Sequence, residues 1–566
     1  MIELPVLPPA SPLPSNNYTF FIIPFTYSLR KADRRNKTTS GRIFCADSPS
    51  DGGFAASHLS AIDGPTADAA TILRHRLNYL LPETRLTLFK RARWFRLRDE
   101  LKGQQDDEFE ATFSYDTDGE SESCRLVANV ELVLFEWPLN ESGRGRAAIA
   151  APHAVGFLLF AGRIAPQQGA SRARSSLDHL FNCNERLRYL TEPPYPGVAS
   201  TIAEPPTAAP ALPRDLWTRY LEAPLDAGQG RHYRLSFPDP PLLERGASGI
   251  LPGDNDAAFA RSYPDGRAFV YTFAYIEGPD QPVDLTPKGS ETHDGRCWQR
   301  AWFNLLDVDG SSSLRQSKAL TQYERDWLCR QTYARWRENG TLYGFTDFSA
   351  AQLMQAGRGF YLTYYHYRQM YLDQLLLLFY ERMTLFQFSV AISAFSHDSI
   401  ERNTRDAARR FSKLRQQFMF MTNLYQFPMF TTQQQGLEMY AMARASLSIA
   451  ELYGELSTEI HATDAYFAQQ RDNTRNDHLA RIQYIGAAVA FGALTLTGMQ
   501  VLEVQDTQWT SPTNVILTIT AALHHPVDLP VVRAVVSSVI ALSFIGLIVA
   551  LLLALWRYAQ WIRDRG

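Results

Sequence analysis

Two apolar runs near the end of the chain restrict what it can fold into more than any other feature. Ile482 to Leu502 (IQYIGAAVAFGALTLTGMQVL) is 21 residues without a charge, and Ala534 to Trp556 (AVVSSVIALSFIGLIVALLLALW) is another 23. About 20 apolar residues at about 1.5 Å rise cross a hydrocarbon core of about 30 Å. Two such runs after a long, largely polar stretch predict a cytoplasmic body on a small membrane anchor. Arg471, Arg475 and Arg481 precede the first run, and Arg557, Arg563 and Arg565 follow the second. Between them, Glu503 to Val532 carries Glu503, Asp506 and Asp528 and neither Lys nor Arg. The positive-inside rule then predicts a multi-pass protein of the cell inner membrane with both termini cytoplasmic. Trp509, Trp556 and Trp561 stand where an interfacial aromatic belt is expected.

The remainder has the composition of a globular protein, 45% hydrophobic and 20% charged over 566 residues, enough for about three domains. A net charge of −3 gives no argument for a nucleic-acid partner, which would need a basic excess. Cys45, Cys124, Cys183, Cys297 and Cys329 are odd in number and never in CxxC spacing. They read as reduced thiols rather than a disulfide framework or zinc site. The start, MIELPVLPPASPLP, lacks a basic and apolar leader pattern, so no signal peptide is expected. TFFIIPFTY is too short to span and contains Pro24, which predicts a strand.

The fold class expected is an α+β cytoplasmic domain followed by a long stalk helix and two C-terminal transmembrane helices. Residues 1–192 form an N-terminal α/β region with strands at Tyr18–Tyr27, Leu126–Trp137 and Ala154–Ile164 and helices at Ala67–Leu81 and Ser175–Tyr189. A proline-rich linker, 193–213, separates it from a second strand-rich region, 214–349, with strands in RHYRLSF, GRAFVYTFAYIEG, CWQRAWFNLLDVDG and TLYGFTDF. Asp307-Val308-Asp309-Gly310 reads as a turn between strands, because a calcium loop would need a later Glu at the twelfth position. From 350 to 433 the character is helical. No proline occurs from Met429 to Ser511, and Ile449, Leu452, Tyr453, Leu456, Ile460, Thr463 and Phe467 fall on one helical face. A single stalk helix over 434–481 running into a span over 482–502 would be about 100 Å long. One apolar stripe on so long a helix predicts partners of its own kind. The loop 503–533, the span 534–556 and a basic tail 557–566 complete the order.

A stalk running into a first span that ends in Gly498-Met499-Gln500, then a short outer loop, a second span and a basic tail, resembles the CorA family of two-span cation transporters. That family carries Gly-Met-Asn where this chain carries Gly-Met-Gln, and Leu414–Tyr440 resembles the turn before its stalk. The resemblance covers about Leu414 to the C-terminus and leaves the first 350 residues unmatched. It implies a homopentamer in the lipid bilayer whose first spans line a pore, with Thr495, Thr497, Gly498, Met499 and Gln500 as pore and selectivity residues. The transported or gating ion would be divalent, Mg²⁺ first and Zn²⁺ second; His524-His525 is the only hint of zinc. Glu503 and Asp506 would attract cations at the mouth. Glu451, Glu455 and Glu459 form an acidic i,i+4 row, readable as a regulatory metal site between subunits or as a solvated face. No enzyme motif or covalently bound cofactor is expected. Two other readings stand beside the transporter. One is a CorA-like antiphage membrane effector, as in some type III CRISPR loci, gated by a nucleotide messenger on the body. The other is a non-conducting membrane-anchored scaffold.

Overall fold

The computed structural model describes residues 17–31, 42–47, 77–99, most of 105–135, 154–166, 176–188, short pieces between 202 and 236, 267–276, 291–310, 319–355, 364, 366–401, 404–425 and 429–503, with five single residues between 538 and 549. The chain divides into two compact units, Met1–Ile460 and His461–Gly566.

The first unit is α+β and is built on one sheet. In chain order its strands begin with β1 (Asn17–Lys31), β2 (Arg42–Asp47), β3 (Ala92–Asp99), β4 (Gln105–Asp106), β5 (Glu108–Thr117), β6 (Glu120–Phe135) and β7 (Ala154–Pro166). Helix α1 (Ser176–Leu187) precedes β8 (Ile202–Ala203), β9 (Leu225–Asp226), β10 (His232–Ser236) and β11 (Phe269–Ile276). Helices α2 (His293–Asp307) and α3 (Gln322–Gln331) precede β12 (Thr332–Tyr333), β13 (Thr341–Phe345) and β14 (Ser349–Gln355). A π-turn at Tyr367–Tyr371 opens α4 (Leu372–Glu401), followed by α5 (Thr404–Tyr425), α6 (Gln434–Ser446) and α7 (Ile449–Glu503).

Pairing closes seven strands into a ring, β1–β7–β6–β3–β2–β9–β10 and back to β1. Only β2 with β9 is parallel in that ring. The ring closes because β1 is long enough to change partner along one edge: Tyr18–Ile22 pair with β11, and Ser28–Lys31 pair with β10. Pro24 falls in the interval between those ladders, where a strand can do without an N–H. Beyond β11 the sheet continues through β14, β13 and β12. Strands from both sides of the proline-rich segment therefore share one sheet.

The central strands are buried on both faces, which explains their unbroken apolar runs. Phe21, Ile23 and Phe25 of β1 and Leu158 and Phe160 of β7 belong to one core cluster with α1 and α2. Their alternate neighbours face the other way, where Phe20 meets Tyr367, Phe157 meets Phe379, and Phe135 stacks on Tyr380 at 4.5 Å. Helix α4 is thus the cover of the sheet's second face. On the first face Gly156 is required: a Cβ would sit 2.5 Å from the Phe25 ring.

Four sequence expectations change. CWQRAWFNLLDVDG is helix α2, not strand; Thr292 caps it by accepting from Gly295 N–H at 3.0 Å. Its aromatic content suggests strand, but Trp302, Leu305 and Leu306 bury at helical spacing against the core. Asp307-Val308-Asp309-Gly310 is therefore the end of a helix, with Val308 left-handed at φ 54°, rather than a turn between strands. The helix expected from residue 350 starts later, because Ser349–Gln355 is a buried strand parallel to β11. Its Ala, Leu, Met and Gln favour helix in isolation, and pairing overrides them. The stalk is also not continuous: α6 ends and α7 begins at Leu447-Ser448, where Ser448 has φ 50°. Leu447 and Ile449 are both fully buried, which a straight helix cannot easily arrange on one face.

The strands expected at Tyr18–Tyr27, Leu126–Trp137, Ala154–Ile164, RHYRLSF, GRAFVYTFAYIEG and TLYGFTDF lie in β1, β6, β7, β10, β11 and β13. The helix expected at Ser175–Tyr189 is α1, and the helical character expected up to 433 is carried by α4 and α5. Most of Ala67–Leu81 lies outside the described residues. Among the described residues, Cys45, Cys183, Cys297 and Cys329 take part in no disulfide.

Candidate functional site

Helix α7 is 55 residues long, about 80 Å at about 1.5 Å per residue. Its first part follows the expected stripe: Ile449, Leu456, Ile460 and Phe467 are buried, and Leu452, Tyr453 and Thr463 half-buried. Past Phe467 no described residue of the helix is buried. That is expected for the polar neck 468–478 and unexpected for the apolar stretch beyond it. Leu479, Ile482, Tyr484, Ile485, Val489, Phe491 and Leu494 are 48–78% exposed. They spread around most of the helix, so turning it cannot hide them all. Burying one such side chain is worth about 1.5–3 kcal/mol. Seven left in water would cost on the order of 10 kcal/mol, comparable with the stability of a whole domain. The described residues provide no apolar surrounding for this stretch.

The helix also has two unlike sides. Gln483, Gly486, Ala490, Ala493, Thr497 and Gln500 succeed one another in steps of three and four, all small or polar. A Cβ added to Gly486 would meet nothing within 4 Å. Half-buried Ala488 and Gly492 lie on the opposite side. Composition alone singles out Gly486, Thr497 and Gln500 but not the line joining them; its 3.5-residue period is the signal that finds it.

Thr495, Thr497, Gly498, Met499 and Gln500 lie in the last turns of α7, which ends at Glu503. Their helical backbone is described and their side chains lie outside the described residues, as does Asp506 altogether. The described side chains of the first apolar run reach Leu494. Of the second run, Ser538, Leu542, Ile545, Gly546 and Val549 are helical and exposed. Glu451, Glu455 and Glu459 are all exposed on the first part of α7. Among the described residues, no three His, Cys, Asp or Glu side chains come together as a metal site.

One helix among the described residues is long and apolar enough to cross a membrane by length and composition, Tyr367–Ile392. Its surroundings identify it as a core helix. It is mostly buried against β7 and its neighbours, and it carries buried Arg368, Asp373, Gln374 and Glu381. Arg368 pairs with buried Glu131 of β6 at 2.6 Å and lies over the Phe20 ring. Comparison of the chain with protein-family models, curated proteins and solved structures finds no match.

Proposed function

We propose that the chain is a membrane-embedded homo-oligomeric cation channel, CorA-like in arrangement, with the sheet-based unit as its cytoplasmic regulatory body. The carrying observation is the exposed, uncharged stretch Ile482–Leu494, which continues as one helix through Gly498-Met499-Gln500. Lipid would cover the bulky side chains, and copies of the same helix would meet along Gln483, Gly486, Ala490, Ala493 and Thr497. Small residues allow close helix approach, while Thr497 and Gln500 would supply hydroxyl and amide oxygens to a hydrated cation. Mg²⁺ fits such a wall, since it keeps its waters and takes oxygen ligands through them. No covalent chemistry is required; ions would move down their electrochemical gradient.

Full-length protein in liposomes loaded with a Mg²⁺-sensitive dye tests the reading. Mg²⁺ influx well above protein-free vesicles is expected, with Gln500→Ala changing it at least tenfold. Influx equal to that of empty vesicles would overturn the transporter reading and leave the messenger-gated effector or the tethered scaffold.

A further inference from the structure

Two helices of the first unit carry rows of opposite charge on their outward sides. On α5, Arg409 and Lys413 stand four residues apart and are exposed, and the sequence continues the row one turn earlier at Arg405. Ala407, Phe411, Leu414, Phe418 and Met421 form the buried side of the same helix, so Arg409 and Lys413 face away from the body. On α7, Glu451, Glu455 and Glu459 repeat at the same step and are exposed, while Leu456 and Ile460 are buried. Phe418 packs on Phe388 of α4 at 5.4 Å and on Tyr453 of α7 at 5.7 Å, which holds the two helices in one body.

Like charges four residues apart on one helix repel, so each row is unfavourable to its own helix. Among the described residues, none of Arg409, Lys413, Glu451, Glu455 and Glu459 takes part in an ion pair or a hydrogen bond. Both rows step by about 6 Å, so successive groups of one can meet successive groups of the other. Met419, on the outward side of α5, is 56% exposed. A methionine there gives a partner apolar surface to bury beside the charges, as protein interfaces do.

We propose that the basic row of α5 in one copy docks on the acidic row of α7 in the next, forming the contact between neighbouring bodies of the homo-oligomer. The occupant is a second copy of this chain because the complement of each row stands on the chain itself, at the same step and with the sign reversed. The two rows are different patches, so the contact is heterologous: each copy offers its acidic row to one neighbour and its basic row to the other. A heterologous contact closes into a ring when its rotation allows, which is the arrangement a central pore requires. The contact rests on the homo-oligomer reading above and extends it from the apolar stretch to the body.

Lys413 is the only lysine after Lys318, so a zero-length carbodiimide that joins an amine to a carboxylate reads the contact directly. Full-length protein in lipid nanodiscs is cross-linked at low salt, the dimer band is taken from a denaturing gel, and its linked peptides are identified by mass. Lys413 joined to Glu451, Glu455 or Glu459 in that band is expected. Lys413→Arg keeps the charge and should remove this adduct alone. Arg409→Glu should lower its yield about threefold or more, as reversing one exposed charge of the row implies. Salt at 1 M, where the Debye length is about 3 Å, should lower it likewise. Dimers that lack the adduct overturn the pairing and leave the oligomer standing, as does an adduct confined to the monomer band. Lys413 shielded by anionic lipid, with no adduct to the acidic row, assigns α5 to the membrane surface and also overturns the pairing. A single-chain mass in native mass spectrometry overturns the pairing and the homo-oligomer reading together.

Discussion

Helix α4 and the far part of α7 are alike in composition and opposite in surroundings. Both are long and apolar, and both would be drawn as membrane spans from hydropathy. Around α4 the protein supplies what lipid cannot: aromatic partners on a sheet and an acidic mate for Arg368. Helix α7 past Phe467 receives no such cover from the described residues, and from Ile482 to Leu502 it has no charge that would need a mate. The lesson is that buried ionisable groups with partners mark an apolar helix as core. Broad exposure with no described partner marks it as one whose cover lies outside the described residues.

Substitutions can break this contrast. The largest effect is expected at the ion pair. Arg368→Met strands Glu131 in the core and should cost the first unit about 3–5 kcal/mol in denaturant unfolding; a loss under about 1 kcal/mol would mean α4 is not held as a core helix. Next is Val489→Arg, which opposes membrane insertion by about 2.5–3.5 kcal/mol. It should deplete the membrane fraction strongly while leaving the unfolding of the first unit unchanged. Gln500→Ala tests the helix end more gently, since a tenfold change in flux corresponds to about 1.4 kcal/mol. The smallest effect is expected at Gly454, an exposed helix-interior glycine with nothing within 4 Å of an added Cβ. Gly454→Ala should stabilise by about 0.5–1 kcal/mol, and destabilisation would show that a neighbour covers that side.

Some of the protein was legible from residues alone because the signal was local. Phe20–Phe25 declared a strand despite Pro24, and the period of Ile449, Leu456, Ile460 and Phe467 declared the covered face of α7. The candidate site was legible as an uncharged run ending in Gly-Met-Gln, and its helical backbone is present through Glu503. The line from Gln483 to Gln500 was readable too, but only to a 3.5-residue search.

Other features depend on contacts between distant segments. Ser349–Gln355 is strand because β11 pairs with it, and CWQRAWFNLLD is helix because Trp302 and Leu306 fit the core only at that pitch. The closed ring needs β9 and β10 to meet strands nearly two hundred residues earlier. Glu381 gives no hint in the sequence that it lies buried beside Arg444, 63 positions away. Hydropathy and periodicity are properties of neighbours along the chain, and they settled which stretches are apolar and how they repeat. Pairing and burial are properties of neighbours in space, and only packing supplied those.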